Sequence, residues 1–217
     1  MPLKAIIWDM DGVIVDSGSL HFKAWQELVV EKGVDLSEEE FKKTFGMRNP
    51  DILKALFGEL SHQEITHLSN KKEEKFRRLA KLGIKALPGV VILLKSIKED
   101  GFKQAIASST PLQNIKLILD TLNIENFFDA IVSAEDVTHG KPDPESFLVA
   151  AKRLNVLPEE CVVIEDAVAG IMAAKNAGMK SIGVTNTVSK SKLFLADLVV
   201  DNLEQVNVDT IFSLVKY

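Results

Sequence analysis

Residues 5–12 read AIIWDMDG, residues 103–109 read KQAIASS and residues 161–166 read CVVIED. Each is a short, almost wholly apolar run that stops at an acid or a hydroxyl, and a helical pattern follows each of the last two. A strand buried on both faces has no solvent side to mark with polar residues, so it reads as a continuous apolar run. Further runs of this kind complete a set of expected strands at 3–9, 103–107, 130–133, 161–165, 181–185 and, briefly, 197–200. Helical patterns fall between them at 90–99, 111–122, 144–154 and 167–177. Thr110-Pro111 and Asp143-Pro144 each read as an N-cap followed by proline at the first helical position, and Gly178 reads as a helix stop.

Strand and helix in alternation define an α/β fold, here a Rossmann-like three-layer core with a mostly parallel sheet. One interval breaks the alternation. Residues 17–86 contain helical patterns only, with Leu20, Trp25, Leu28 and Val29 on one face of the first and Ile65, Leu68, Phe76 and Leu79 on one face of the last. The charged run 71–75 lies inside that last helix. The expected division is therefore a core of 1–16 and 87–217 and an inserted α-helical domain of 17–86.

Composition excludes several classes. The chain has 217 residues, 46% of them hydrophobic and 26% charged, the ordinary balance of a globular protein. A net charge of −5 argues against a nucleic-acid partner. The charge is unevenly placed: residues 17–86 carry 13 basic and 11 acidic residues, net +2, which leaves −7 on the rest. A single cysteine, Cys161, permits no internal disulfide, and no Cys/His set has zinc spacing, so a reducing cytoplasm is expected. The apolar run before Asp9 is too short for a signal-peptide core, and no run of about 18 apolar residues offers a membrane span.

The chemistry is concentrated at strand ends. In an open parallel sheet, ligands bind beyond the carboxyl ends of the strands. Asp9 and Asp11 follow the first strand, Ser108 the second, and Glu165 and Asp166 the fourth; Lys141 precedes a helix in HGKPDP. Taken singly, each but Glu165 has a local explanation. Asp11-Gly12 makes a turn, Thr110 caps a helix with Ser108 as loop filler, Asp166 caps the next helix, and a loop lysine is usually solvated. Those explanations do not account for all of them facing one edge of one sheet. Four converging carboxylates would repel by kcal/mol per pair even at an effective dielectric of ~20. An all-oxygen set without histidine or thiol suits Mg²⁺, with Lys141, Ser108 and a helix start left to hold phosphate oxygens. Phosphoryl transfer is the implied chemistry.

With these residues in place, the sequence resembles the haloacid dehalogenase-like superfamily over nearly its whole length. DMDGVIVDS at 9–17, AIASS at 105–109, GKPDP at 140–144 and VIEDAVAGIMAAKNAG at 163–178 resemble its four motifs in order. The insert resembles the four-helix cap of the subgroup that includes phosphoglycolate phosphatases, sugar-phosphate phosphatases and β-phosphoglucomutases. The resemblance implies Asp9 as nucleophile, Asp11 as general acid and base, and Ser108 and Lys141 on the phosphoryl oxygens. It implies Mg²⁺ held by the Asp9 and Asp166 carboxylates and the Asp11 carbonyl, with Glu165 nearby. Met10, Ser109, Ser17, His21 and Arg48 are the expected substrate contacts, and hinges are expected at 16–19 and 85–89. Asp11 argues against a dehalogenase, which does not need a proton donor for a halide.

The expected activity is a Mg²⁺-dependent phosphatase acting on a small phosphorylated metabolite, in a monomeric cytoplasmic protein with no nucleic-acid or membrane partner. His21 motivates the alternative of a phosphosugar mutase, whereas Gly46-Met47-Arg48-Asn49-Pro50 lacks the Ser-Arg order of the mutases. A signalling receiver domain shares the residue types, but it places its acidic pair after the first strand and has no insert. His62, His67 and His139 read as surface or loop residues, and Cys161 as a buried small hydrophobe.

Overall fold

The computed structural model describes residues 3–44 and 47–215. They form two compact units, one of Met1–Asp16 with Lys85–Tyr217 and the other of Ser17–Ile84.

The first unit is built on six strands: β1 Ala5–Trp8, β2 Lys103–Ala107, β3 Ala130–Val132, β4 Cys161–Glu165, β5 Lys180–Val184 and β6 Leu198–Val200. Their order is β3-β2-β1-β4-β5-β6, and every neighbouring pair is parallel. The expected α/β class holds, and the sheet is wholly rather than mostly parallel. β1 lies between β2 and β4, with Trp8 opposite Ile106 on one side and Ile164 on the other, so these three strands end together.

Alternation along β1 sends its side chains to two buried faces. Ala5 and Ile7 join Ala105, Ala107, Cys161 and Val163 beneath Phe147, Ala150 and Leu154 of α7 (Glu145–Leu154) and Ala173 and Ala174 of α8 (Val168–Asn176). On the other face Trp8 donates from Nε1 to Gln104 at 3.1 Å, and Gln104 donates in turn to the Leu94 carbonyl of α5 (Val90–Glu99) at 3.0 Å. This pairing lets a glutamine lie fully buried in the middle of a strand. Helices on both faces explain why the strands read as unbroken apolar runs.

Three helices start one residue later than the sequence expectation. The helix after β2 begins at Leu112, not Pro111, and has no side-chain cap; the Thr110 hydroxyl donates to Asp11 instead. The helix after β4 begins at Val168, and the carboxylate that accepts from the free N–H groups of Asp166 and Ala167 belongs to Glu165, not to Asp166. The helix expected from Pro144 begins at Glu145 with Pro144 as its N-cap residue, and Asp143 stands one residue earlier, its carboxylate accepting from the Glu145 N–H at 2.9 Å.

The second unit has four helices among the described residues: α1 Gly18–Val30, α2 Glu38–Thr44, α3 Asn49–Phe57 and α4 His62–Gly83. Trp25, Leu28, Val29, Phe41, Ile52 and Leu53 form its core with Leu68. A reciprocal capping box between Ser61 and Glu64 starts α4. The charged run 71–75 is not a solvated face, because Lys72 and Glu73 are buried and paired at 2.8 Å.

Candidate active site

Asp9 stands one residue beyond β1, its N–H still in the ladder with the Ile164 carbonyl at 3.0 Å. The chain then turns at once: the Met10 carbonyl accepts from Ile14 at 2.8 Å and from Val15 at 3.1 Å. Gly12 takes φ +80, a conformation that favours glycine, and a Cβ there would collide with the Asp166 carboxylate. The turn therefore needs both the glycine and the short acids around it. Met10 is fully buried.

Beyond β2, the Ser108 hydroxyl accepts from the Thr110 N–H at 3.1 Å, and Thr110 Oγ1 lies 2.5 Å from Asp11 Oδ2. Ser108 and Thr110 are buried, and Ser109 between them is exposed. Lys141 arrives from the loop before α7. Glu145 braces that loop by accepting from the N–H groups of Thr138 and His139 at 2.9 and 2.7 Å, with the exposed His139 ring 3.3 Å away. Lys141 Nζ reaches Asp9 Oδ1 at 2.5 Å and Glu165 Oε1 at 2.6 Å, over the Phe147 ring. Glu165 divides its carboxylate: Oε1 meets Lys141, and Oε2 accepts from the N–H groups of Asp166 and Ala167, both at 2.8 Å. Gly170 makes room for it, since a Cβ there would overlap the Glu165 carboxylate.

Asp9, Glu165 and Asp166 each present an oxygen within 4.8 Å of the others, and all three are buried. Burial pushes Asp166 from its ordinary 3.8 up to about 9, helped by the charges of Glu165 and Asp9 and opposed by the Thr187 hydroxyl. Burial likewise pushes Asp9 up to about 8 against the opposing pull of Lys141, with Glu165 and Asp11 adding to the rise. For Lys141 burial acts downward, but the charges of Asp9 and Glu165 outweigh it and hold the ammonium above the usual lysine range. Ionised together, three buried carboxylates beside one ammonium would carry an excess of negative charge, so without a cation Asp9 and Asp166 hold protons at neutral pH. The donors are all hard oxygens, so the set fits a divalent cation of the Mg²⁺ type.

The structure thus brings together Asp9, Asp11, Ser108, Lys141, Glu165 and Asp166. Asp11 is not in the carboxylate trio, because its side chain is turned to Thr110. Ser17, His21 and Arg48 fall in the helical unit. There the Ser17 carbonyl accepts from the Leu20 and His21 N–H groups, and exposed Arg48 is the N-cap residue of α3. His21 stacks on Phe76 at 4.0 Å and meets buried Lys72 Nζ through Nδ1 at 2.8 Å. Cys161 is buried and its thiol is pushed up to about 12, which suits packing and not nucleophilic attack.

Sequence reasoning missed Thr110 as the partner of Asp11, Gly170 as the space beneath Glu165, and Thr187, whose hydroxyl donates to Asp166 Oδ2. Position was the available signal for Thr187, which follows the carboxyl end of β5 as the acids follow β1 and β4.

A hydrolase fold with these acids at its strand ends is matched by the haloacid dehalogenase-like hydrolase family over residues 6–184. The chain belongs to that family. It is 36% identical to the phosphorylated carbohydrates phosphatase of Thermotoga maritima, over 89% of this chain and 90% of that one. It is also 36% identical to the β-phosphoglucomutase of Bacillus subtilis, over 84% and 83%. A crystal structure of a HAD hydrolase of family IA, variant 3, from Entamoeba histolytica superposes with a TM-score of 0.93 at 26% identity, covering 99% of this chain and all of that one. No helix among the described residues is long and apolar enough to cross a membrane.

Proposed function

We propose that this chain, a phosphoric monoester hydrolase by family, is a Mg²⁺-dependent phosphatase of small sugar phosphates that works through an aspartyl-phosphate on Asp9. The observation that carries the reading is the buried trio of Asp9, Glu165 and Asp166 with Lys141 bonded to two of its members. Asp9 and Asp166, with the Asp11 carbonyl, are assigned to hold the cation, and Glu165 supports them. The cation, when bound, offsets negative charge on the phosphoryl oxygens.

The protein's own groups do the rest. An Asp9 oxygen forms the bond to phosphorus as the bond to the sugar oxygen breaks. Asp11, oriented by Thr110, gives its proton to the departing alkoxide and later takes one from the water that cleaves the aspartyl-phosphate. Lys141 and Ser108 hold phosphoryl oxygens, and the Met10 and Ser109 backbone is assigned to the same task. Ser17, His21 and Arg48 of the helical unit are assigned to substrate selection. A free, buried thiol at Cys161 supports a cytoplasmic setting.

The test is phosphate release from a panel of sugar phosphates with and without Mg²⁺. Wild type should release phosphate, and Asp9→Asn should lose at least ~10³ in rate; no release by wild type, or undiminished release by the variant, rejects the reading. His21, held by buried Lys72, favours one alternative, a phosphosugar mutase. Incubation with β-glucose 1-phosphate and a trace of the bisphosphate separates the two: glucose 6-phosphate indicates a mutase, free phosphate a phosphatase.

A further inference from the structure

Thr187 lies in an exposed loop after β5, a strand that does not touch β1 because β4 lies between them. The loop nevertheless reaches the turn after β1. Asn186 Nδ2 donates to the Gly12 carbonyl at 2.8 Å, and the Thr187 hydroxyl donates to Asp166 Oδ2. Gly12 completes the junction, because a Cβ at that residue would run into both the Asp166 carboxylate and, at 2.8 Å, Thr187 Oγ1. Three loops from three strands therefore meet on one oxygen of one acid.

We infer that Thr187 is a positioning residue that sets the orientation of the Asp166 carboxylate for a divalent cation. A carboxylate rotates easily about its terminal bond, so either oxygen can be presented. A hydrogen bond to Oδ2 removes that freedom and directs Oδ1 for ligation. Asn186 fixes the loop that carries the hydroxyl by tying it to Gly12. Hydrogen bonds of this outer kind typically contribute ~10–100-fold to metal affinity. Thr187 is exposed and water can replace part of its effect, so the lower end, about 10-fold, applies.

This inference rests on the reading of Asp166 as a cation-holding acid, and the experiment separates the two. Mg²⁺ and Mn²⁺ are titrated calorimetrically into chelator-treated wild type, Thr187→Val, Thr187→Ser and Asp166→Asn in the absence of substrate. Thr187→Val keeps the shape and removes the hydroxyl; at an exposed site it removes no core packing. It should weaken binding about 10-fold, whereas Thr187→Ser should stay within about 3-fold of wild type. Saturating Mg²⁺ should return the kcat of Thr187→Val to within about 3-fold of wild type, which a general distortion of the site would not permit. Thr187→Val binding as wild type does, or Thr187→Ser losing as much as the valine variant, overturns the role of the hydroxyl while leaving the cation site intact. Undiminished binding by Asp166→Asn instead overturns the cation site itself, and the inference with it.

Discussion

The proton held at Asp166 makes a specific prediction about stability against pH. Its carboxyl is buried and titrates at about 9 without a bound cation, against an ordinary value of 3.8. Between about pH 5 and pH 7 the folded protein keeps this proton and the unfolded chain has lost it. Stability is therefore full below the unfolded value and falls as pH rises, by about 1.4 kcal/mol per pH unit for one group. Over two units that is up to about 2.7 kcal/mol, or about 5–10 °C in Tm for a chain of this size. Asp9, pushed up to about 8 despite Lys141, adds to the fall in the same direction, so this figure is the share of Asp166 alone. The assay is thermal unfolding of chelator-treated protein at about pH 5, 6 and 7, repeated with saturating Mg²⁺. The cation should flatten the slope, since it competes with the proton for the same oxygens. Asp166→Asn should show a shallower slope without the cation, the remainder coming from Asp9. Metal-free stability that stays level or rises over this range, or an unchanged slope in Asp166→Asn, refutes the reasoning.

Replacing Lys141 with methionine leaves two buried carboxylates without their shared cation, and urea unfolding of the metal-free protein should show a loss of ~3–5 kcal/mol, partly restored by adding Glu165→Gln. Asp11→Asn should lower turnover of a sugar phosphate by ~10²–10⁴. Formation of the aspartyl-phosphate from p-nitrophenyl phosphate, whose leaving group needs little protonation, should fall much less in a rapid-quench burst measurement. Gly12→Ala forces a side chain into φ +80 and onto the Asp166 carboxylate, and it should cost ~2 kcal/mol or more in unfolding and weaken Mg²⁺ binding in the same preparation.

Much of the core was legible because its strands are covered on both faces, so apolar runs such as CVVIE mark them without ambiguity. The positions of the acids followed from the same runs, since each stands where a strand ends. What escaped was the use made of each polar group. Thr110 before a proline reads as a cap, yet its hydroxyl turns to Asp11, a residue brought close only by the pairing of β1 with β2. Glu165 seemed to lack any local task and has one, because the N–H groups at the start of α8 lie within reach of its second oxygen. Lys72 and Glu73 resemble solvated charges in sequence. Only the packing of α4 against α1 and α3 reveals that they pair with each other and with His21 and Asn49 inside the helical unit. Tertiary proximity decided the first and the last of these, and no local pattern encodes it; the Glu165 bonds are local and were open to a reading of the strand-to-helix junction.

The strand order also bears on how the chain matures. Asp9 leaves the ribosome well before Glu165 and Asp166, which lie far along the sequence from it. Until β4 pairs with β1, the acids are far apart and solvated, and nothing opposes collapse of the rest. The pairing of β4 with β1 is what sets these acids side by side, where Lys141 bonds to Asp9 and Glu165. On the proposed reading, a half-made chain would carry its nucleophile without the means to use it until the centre of the sheet closes.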